Sequence, residues 1–240
     1  MTSVKSMRLT MAAVLGLGAI AISPVANAQL SAVGPFVGNT SEHFESFTDF
    51  VHTSPIFSFE PSPASVFGGT ATLTGANLFV FNPGAGSNFR LGSSGDDAMP
   101  TDGAQGMGSA FGGASTVTFN QAIRGFGGYF GARTGVSLTR PTMAVFPDPA
   151  TFVLSFFDSA NNQVGATQSW TYSRTGFADG LLEWHGYFST TPFTKVVIDA
   201  PGTAFAYDNL QAVPEPGVLV SLIGAGTVGG LLAIRRRRKS

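Results

Sequence analysis

The stretch TFVLSFFDSANNQVGATQSWTY, residues 151–172, sets the expectation for the body of the chain. Phe152, Leu154 and Phe156 alternate with Val153, Ser155 and Phe157, and a period of two places each set on one face of a strand. Asp158 to Asn162 then supply the short polar side chains that stabilise turns, and the chain returns through Val164 to Trp170 and Tyr172. This pattern predicts a β-hairpin with Phe152, Leu154 and Phe156 on one face of its first strand.

Similar signals recur on both sides. TATLTG (70–75), NLFVF (77–81) and STVTFN (115–120) read as half-buried strands, and AIRGFGGYFGA (122–132) reads as a strand whose glycines mark bulges or close sheet contact. TKVVIDA (194–200) and AFAYDNLQAV (204–213) are expected to form a second hairpin through Pro201-Gly202. Glycine and proline are abundant, at 31 and 14 residues, which disfavours long helices. Cysteine is absent, so disulfides, thiolate metal sites and a cysteine nucleophile are excluded, and stability must come from packing of the 22 phenylalanines and their neighbours. The expected fold is all-β: an antiparallel β-sandwich, jelly-roll-like, spanning residues 29–212.

Charge is distributed unevenly. Seven of the 13 basic residues lie at the two ends, leaving residues 29–213 with 13 acids and six bases, a net charge of -7. Nucleic acid is therefore not an expected partner, because a phosphate-binding surface needs clustered cations.

At the start, Lys5 and Arg8 precede an apolar run from Met11 to Ile22, and Pro24 is followed by Ala26-Asn27-Ala28. These features predict a secretory signal peptide over 1–28, cut between Ala28 and Gln29, which implies passage through the Sec export machinery. A membrane helix would need roughly 20 apolar residues, more than this run contains. At the other end, 217–234 is free of charge and is followed by Arg235, Arg236, Arg237, Arg238 and Lys239. A helix over that segment would span roughly 27 Å, close to the hydrocarbon thickness of a bilayer. The basic run is expected to stop transfer and stay cytoplasmic. Gly224-Ala225-Gly226-Thr227-Val228-Gly229 matches the dinucleotide fingerprint G-x-G-x-x-G, but no acidic residue follows at the required distance, so it is read as part of the apolar helix.

Val213-Pro214-Glu215-Pro216, the apolar span and the terminal basic cluster, in this order, resemble the PEP-CTERM sorting signal of Gram-negative bacteria that make exopolysaccharide. The resemblance covers 213–240. It implies that the tail is read by an exosortase, a membrane-embedded cysteine transpeptidase-like enzyme, near the Pro-Glu-Pro. The prolines should keep Val213 to Pro216 extended and unpaired just outside the inner membrane. Residues 151–213 are also similar to the β-sandwich bodies found ahead of such tails, a resemblance that carries no established activity.

Chemistry-bearing residues are sparse in the body. The histidines are His43, His52 and His185, without the H-E-x-x-H spacing of a zinc site, and no G-x-S-x-G elbow occurs. Glu183, Trp184 and His185 place an acid beside an aromatic, as sugar sites do. On a strand, Glu183 and His185 share one face, and Trp184 is expected to point the other way, into the core. Asp96, Asp97 and Asp102 lie in the glycine-rich stretch GSSGDDAMPTDGAQG and are weak candidates for calcium, departing from the EF-hand spacing. No cofactor and no catalytic residue is expected. The sequence thus predicts an exported, noncatalytic protein of the cell surface or extracellular matrix, held at the inner membrane before processing and associated with exopolysaccharide or biofilm. The alternative is a secreted carbohydrate-active enzyme or sugar-binding module.

Overall fold

In the computed structural model, the described residues are 28–47, 62–83, 90–91, 96–109, 113–133, 135–136, 145–147, 149–172 and 182–215. The strands are β1 (Leu30–Val33), β2 (Thr40–Glu42), β3 (Ala64–Val66), β4 (Ala71–Gly75), β5 (Leu78–Phe81), β6 (Arg90–Leu91), β7 (Asp96–Asp97) and β8 (Gly106–Ser109). They continue with β9 (Ser115–Ala132), β10 (Gly135–Val136), β11 (Val145–Phe146), β12 (Ala150–Phe157), β13 (Gln168–Tyr172), β14 (Glu183–Asp199) and β15 (Phe205–Pro214). Among the described residues, the helical content is one 3-10 turn at Phe67–Gly69. The fold is all-β, as expected.

Eleven strands form one antiparallel sheet, and it curls because its two central strands are long and change neighbours midway. β9 has 18 residues and β14 has 17, and they pair with each other over both halves. The first half of β9 also pairs with β4 and its second half with β15, while the first half of β14 pairs with β1 and its second half with β12. The register between β9 and β14 shifts between Phe188 and Phe193 and again before Lys195. Such irregularities bend a strand and increase its local twist. Pro192 lies in this interval, where a residue without an N–H breaks the regular ladder.

Curling brings the halves face to face over a shared aromatic core. Phe152 of β12 meets Phe130 of β9 at 6.0 Å and Phe205 of β15 at 5.7 Å between ring centroids. Phe156 meets Tyr187 at 5.9 Å and Phe193 at 5.0 Å. Phe152, Leu154 and Phe156 are fully buried, the alternation expected of them. The hairpin is also present, with Ala150 opposite Tyr172 and Leu154 opposite Gln168. Asp158 accepts hydrogen bonds from the backbone of Ala160 (2.9 Å) and Asn162 (2.8 Å), while Asn161 adopts the left-handed conformation at φ 66°. The Asn162 side chain, together with these backbone donors, holds the Asp158 carboxyl below its ordinary range.

Three expectations need correction. TKVVIDA and AFAYDNLQAV are not hairpin partners: β14 pairs with β12 and β9, whereas β15 pairs with β9, β8 and β2. The link through Pro201-Gly202 instead carries the chain from one half of the sheet to the other, and it is closed by Thr203 N–H donating to Ala200 O at 3.1 Å. Likewise STVTFN and AIRGFGGYFGA are one continuous strand, β9. Finally, Val213 and Pro214 are extended but not unpaired, since they lie opposite Gly125 and Ile123 of β9. The backbone N–H of Glu215 donates to Ala122 O at 3.1 Å, so the paired chain runs past the boundary expected at residue 212.

The glycines of β9 provide close contact. A Cβ on Gly127 would stand 2.7 Å from the Trp184 ring and 2.8 Å from Gly186 Cα, so the indole lies directly on bare backbone.

Candidate functional site

A cleft of about 240 Å³ opens where β9 changes neighbours. It is lined by Phe119, Asn120, Gln121 and Ile123 of β9, Thr40 of β2, Gly69 at the end of the 3-10 turn and Thr70 just after it, and Pro214 at the end of β15. Each wall is fixed by backbone pairing. Asn120 N–H donates to Thr70 O at 2.9 Å and its side-chain amide donates to Gly69 O at 3.2 Å, while the Thr70 hydroxyl donates to Phe67 O at 2.7 Å. Phe119 packs on Phe67 at 5.2 Å and Phe126 at 6.2 Å, which anchors the apolar side of the cleft in the core. Asn120 and Gln121 are exposed.

Next to the cleft, Arg124 Nη2 lies 2.8 Å from Glu215 Oε1, with the two side chains 31% and 38% exposed. Arg124 Nη1 also donates to Thr190 O. Sequence reading missed Arg124, although it is one of only six bases in residues 29–213 and sits inside an otherwise uncharged strand. A lone cation in such a strand calls for a facing anion, and Glu215 fills that place.

Glu183, Trp184 and His185 do divide across the two faces of β14. Glu183 Oε2 and His185 Nε2 are 3.4 Å apart, and the His185 ring stacks on Trp170 at 3.8 Å. Trp170 also stacks on Phe152 at 5.1 Å, so this indole is engaged by two rings of the protein itself. Trp184 points away from this pair, as alternation requires, but it lies outside the core cluster rather than within it. It is half-buried on the opposite side of the sheet, edge-on to Phe36 (5.3 Å) and Tyr129 (5.2 Å), with its N–H donating to Val33 O at 3.0 Å. The N-terminal segment covers a face that strand alternation alone could not distinguish from the core face.

The acidic loop is held by carboxylates that bind backbone. Asp208 Oδ2 accepts from Thr101 N–H at 2.7 Å, the Thr101 hydroxyl at 3.0 Å and Asp102 N–H at 3.1 Å. Glu45 Oε1 accepts from Ala104 N–H at 2.7 Å and Gln105 N–H at 2.8 Å. Asp102 itself lies 3.1 Å from His43 Nδ1, while His43 Nε2 is 2.9 Å from the Ser41 hydroxyl. Asp96 and Asp97 pair with Leu91 and Arg90 in a separate two-stranded ribbon. Among the described residues, no group of three or more histidines and carboxylates could hold a metal ion.

The remaining sequence candidates lie at or beyond the limits of description. Gln29 exchanges hydrogen bonds with Thr190, each at 3.2 Å, and Ala28 packs against the core. Ala26, His52, Pro216, the apolar segment 217–234 and the basic run Arg235, Arg236, Arg237, Arg238 and Lys239 lie outside the described residues. Among the described residues, no helix is long and apolar enough to cross a membrane.

No protein-family model and no curated protein matches the chain. Among solved structures, it is similar to TmCBM61 in complex with β-1,4-galactotriose, at 12% identity and TM-score 0.34, over 60% of this chain and 88% of that one. A carbohydrate-binding module from the β-sandwich superfamily is similar at 10% identity and TM-score 0.31, over 73% of this chain and 62% of that one. The enzymatically active domain of tailspike protein 4 from bacteriophage CBA120 is similar at 11% identity and TM-score 0.27, over 79% of this chain and 20% of that one. Likenesses at these TM-scores carry no inference about ligand or activity.

Proposed function

We propose that the chain is an exported, noncatalytic surface protein whose jelly-roll-like body holds carbohydrate in the cleft between Phe119 and Pro214. The observation that carries this reading is the composition of the cleft. Phe119, Ile123 and Pro214 offer apolar surface, while Thr40, Thr70, Asn120 and Gln121 bring hydroxyls and amides to the same space. A sugar ring has the matching character, with C–H surface on its faces and hydroxyls around its rim. Side-chain amides suit that rim because each both donates and accepts. The volume is below the ~300–1,000 Å³ of pockets for drug-sized ligands and suits one or two rings.

The test is binding of the full-length protein, in detergent, to an array of bacterial and plant glycans. The double variant Asn120→Ala/Gln121→Ala should lose at least about tenfold in affinity, since two hydrogen-bonding amides are removed. Its melting temperature should fall only slightly, because both side chains are exposed and the structural loss is the single Asn120 amide bond to Gly69 O. Trp184→Ala should leave specific binding intact, because Trp184 is not among the cleft-lining residues. Retention of full affinity by the double variant would overturn the assignment of the cleft.

The ends of the chain support a place for this binding. The signal peptide over 1–28 and the PEP-CTERM-like tail over 213–240 route the body through Sec to the outer side of the inner membrane. An exosortase then processes the tail, and the body joins an exopolysaccharide-rich surface or biofilm. Cells with and without the exosortase, followed by an epitope in the body, should show a shorter product only where the enzyme is present. Full-length protein in both strains would reject tail processing.

A further inference from the structure

The end of β15 is both a wall of the cleft and the last paired segment of the described chain. Ala212 is gripped from two sides, opposite Thr40 of β2 and Phe126 of β9. Beyond it the described pairing is one-sided. Val213 faces Gly125 and Pro214 faces Ile123, with a register shift between these two rungs. Proline donates no hydrogen bond, so the next backbone tie is Glu215 N–H to Ala122 O, reinforced by the half-exposed Arg124–Glu215 pair.

We propose that Val213 to Glu215 form a releasable wall: the Arg124–Glu215 clasp holds the strand end on β9 and keeps the cleft closed on that side, and parting the clasp opens it. Because Pro214 lines the cleft, a ligand seated there stabilises the docked strand end, and release of the strand end weakens the ligand's hold by the same factor. The site thereby gains regulation, resting on the carbohydrate reading above: whatever captures the chain after Glu215 competes with sugar.

Hydrogen exchange on the full-length protein in detergent tests this. In wild type, the Glu215 amide should exchange faster than amides of the central hairpin strand β12, such as Val153 and Leu154, which lies between β13 and β14. Arg124→Gln and Glu215→Gln should each speed its exchange roughly two- to fivefold, the scale of a partly exposed ion pair, with the hairpin amides unchanged. Arg124→Lys should retain part of the protection. Glu215 exchange that is as slow as the hairpin and indifferent to both glutamine variants would overturn the proposal. Acceleration across the hairpin as well would reveal a general loss of fold and also count against it. A panel of soluble glucan, galactan and mannan oligosaccharides separates the two readings. A sugar that binds and slows Glu215 exchange supports both, and one that binds without slowing it overturns the linkage alone. If none binds, the carbohydrate reading falls, and the releasable strand end is decided by the variants.

Discussion

Asp208 is a carboxylate placed where water cannot reach it, and its titration should be visible in the stability of the whole body. It has no solvent exposure, and burial pushes its carboxyl up to about 6 against the opposing pull of donors from Asp102 and Thr101. Folded, the group therefore holds its proton more tightly than it does unfolded, near 3.8. Stability from this group rises as pH falls from about 6 toward 4, and above about 6 the charged form opposes folding in full. The effect amounts to at most about 3 kcal/mol. Asp208→Asn should remove it, so melting temperatures near pH 5 and pH 7 should differ less in the variant than in wild type. An equal pH response in both proteins would exclude Asp208 as its source.

A single methyl group offers a second test at this scale. In Gly127→Ala the new Cβ would meet the Trp184 ring at 2.7 Å and Gly186 Cα at 2.8 Å, and backbone cannot yield as a flexible side chain can. Overpacking of this kind costs about 1–3 kcal/mol, which denaturant unfolding would register as a lower midpoint. The glycine pattern in AIRGFGGYFGA was legible in the sequence as close contact, but the partner was not. Trp184 reaches Gly127 only because β14 pairs with β9, and that pairing joins segments more than 50 residues apart.

Among the elements, the β12–β13 hairpin could be read directly because everything that makes it is local. The alternating apolar residues, the Asp158 turn and the returning aromatics lie within residues 150–172. Phe156 shows what the alternation achieves: it is fully buried between Tyr187 and Phe193, and Phe156→Ala should cost about 3–5 kcal/mol in denaturant unfolding. Phe157→Ala, on the half-buried face, should cost clearly less. Long-range pairing was not legible in the same way. TKVVIDA and AFAYDNLQAV have the composition of a hairpin, yet each finds a better neighbour elsewhere, because β9 offers one edge to β14 and the other to β15. Sequence spacing favours pairing between adjacent segments, but the curled sheet separates them into opposite halves. The cleft was invisible for the same reason, since its walls come from β2, the turn after β3, β9 and β15.

For the molecule as a whole, the acidic character of residues 29–213 is partly a structural device. Glu42, Glu45 and Asp208 each accept backbone N–H groups, tying irregular segments to the sheet. Glu42 alone fixes Phe44 N–H at 2.8 Å and Phe67 N–H at 2.7 Å. Carboxylates used this way secure loops in a chain that has no cysteine to form disulfides. Asp96, Asp97 and Asp102 are weak calcium candidates by sequence, and the geometry adds that Asp208 and Glu45, from outside that stretch, anchor its backbone at residues 101–105.

The one-sided grip on Val213 to Glu215 also decides how the molecule would respond to mechanical load. A pull on Glu215 directed across the strand would meet the Glu215 tie first, then the Pro214 and Val213 rungs, one after another. Yielding should halt at Ala212, where β2 and β9 clamp the strand from both sides. Peeling of this short stretch would therefore spare the aromatic core behind the two-sided clamp.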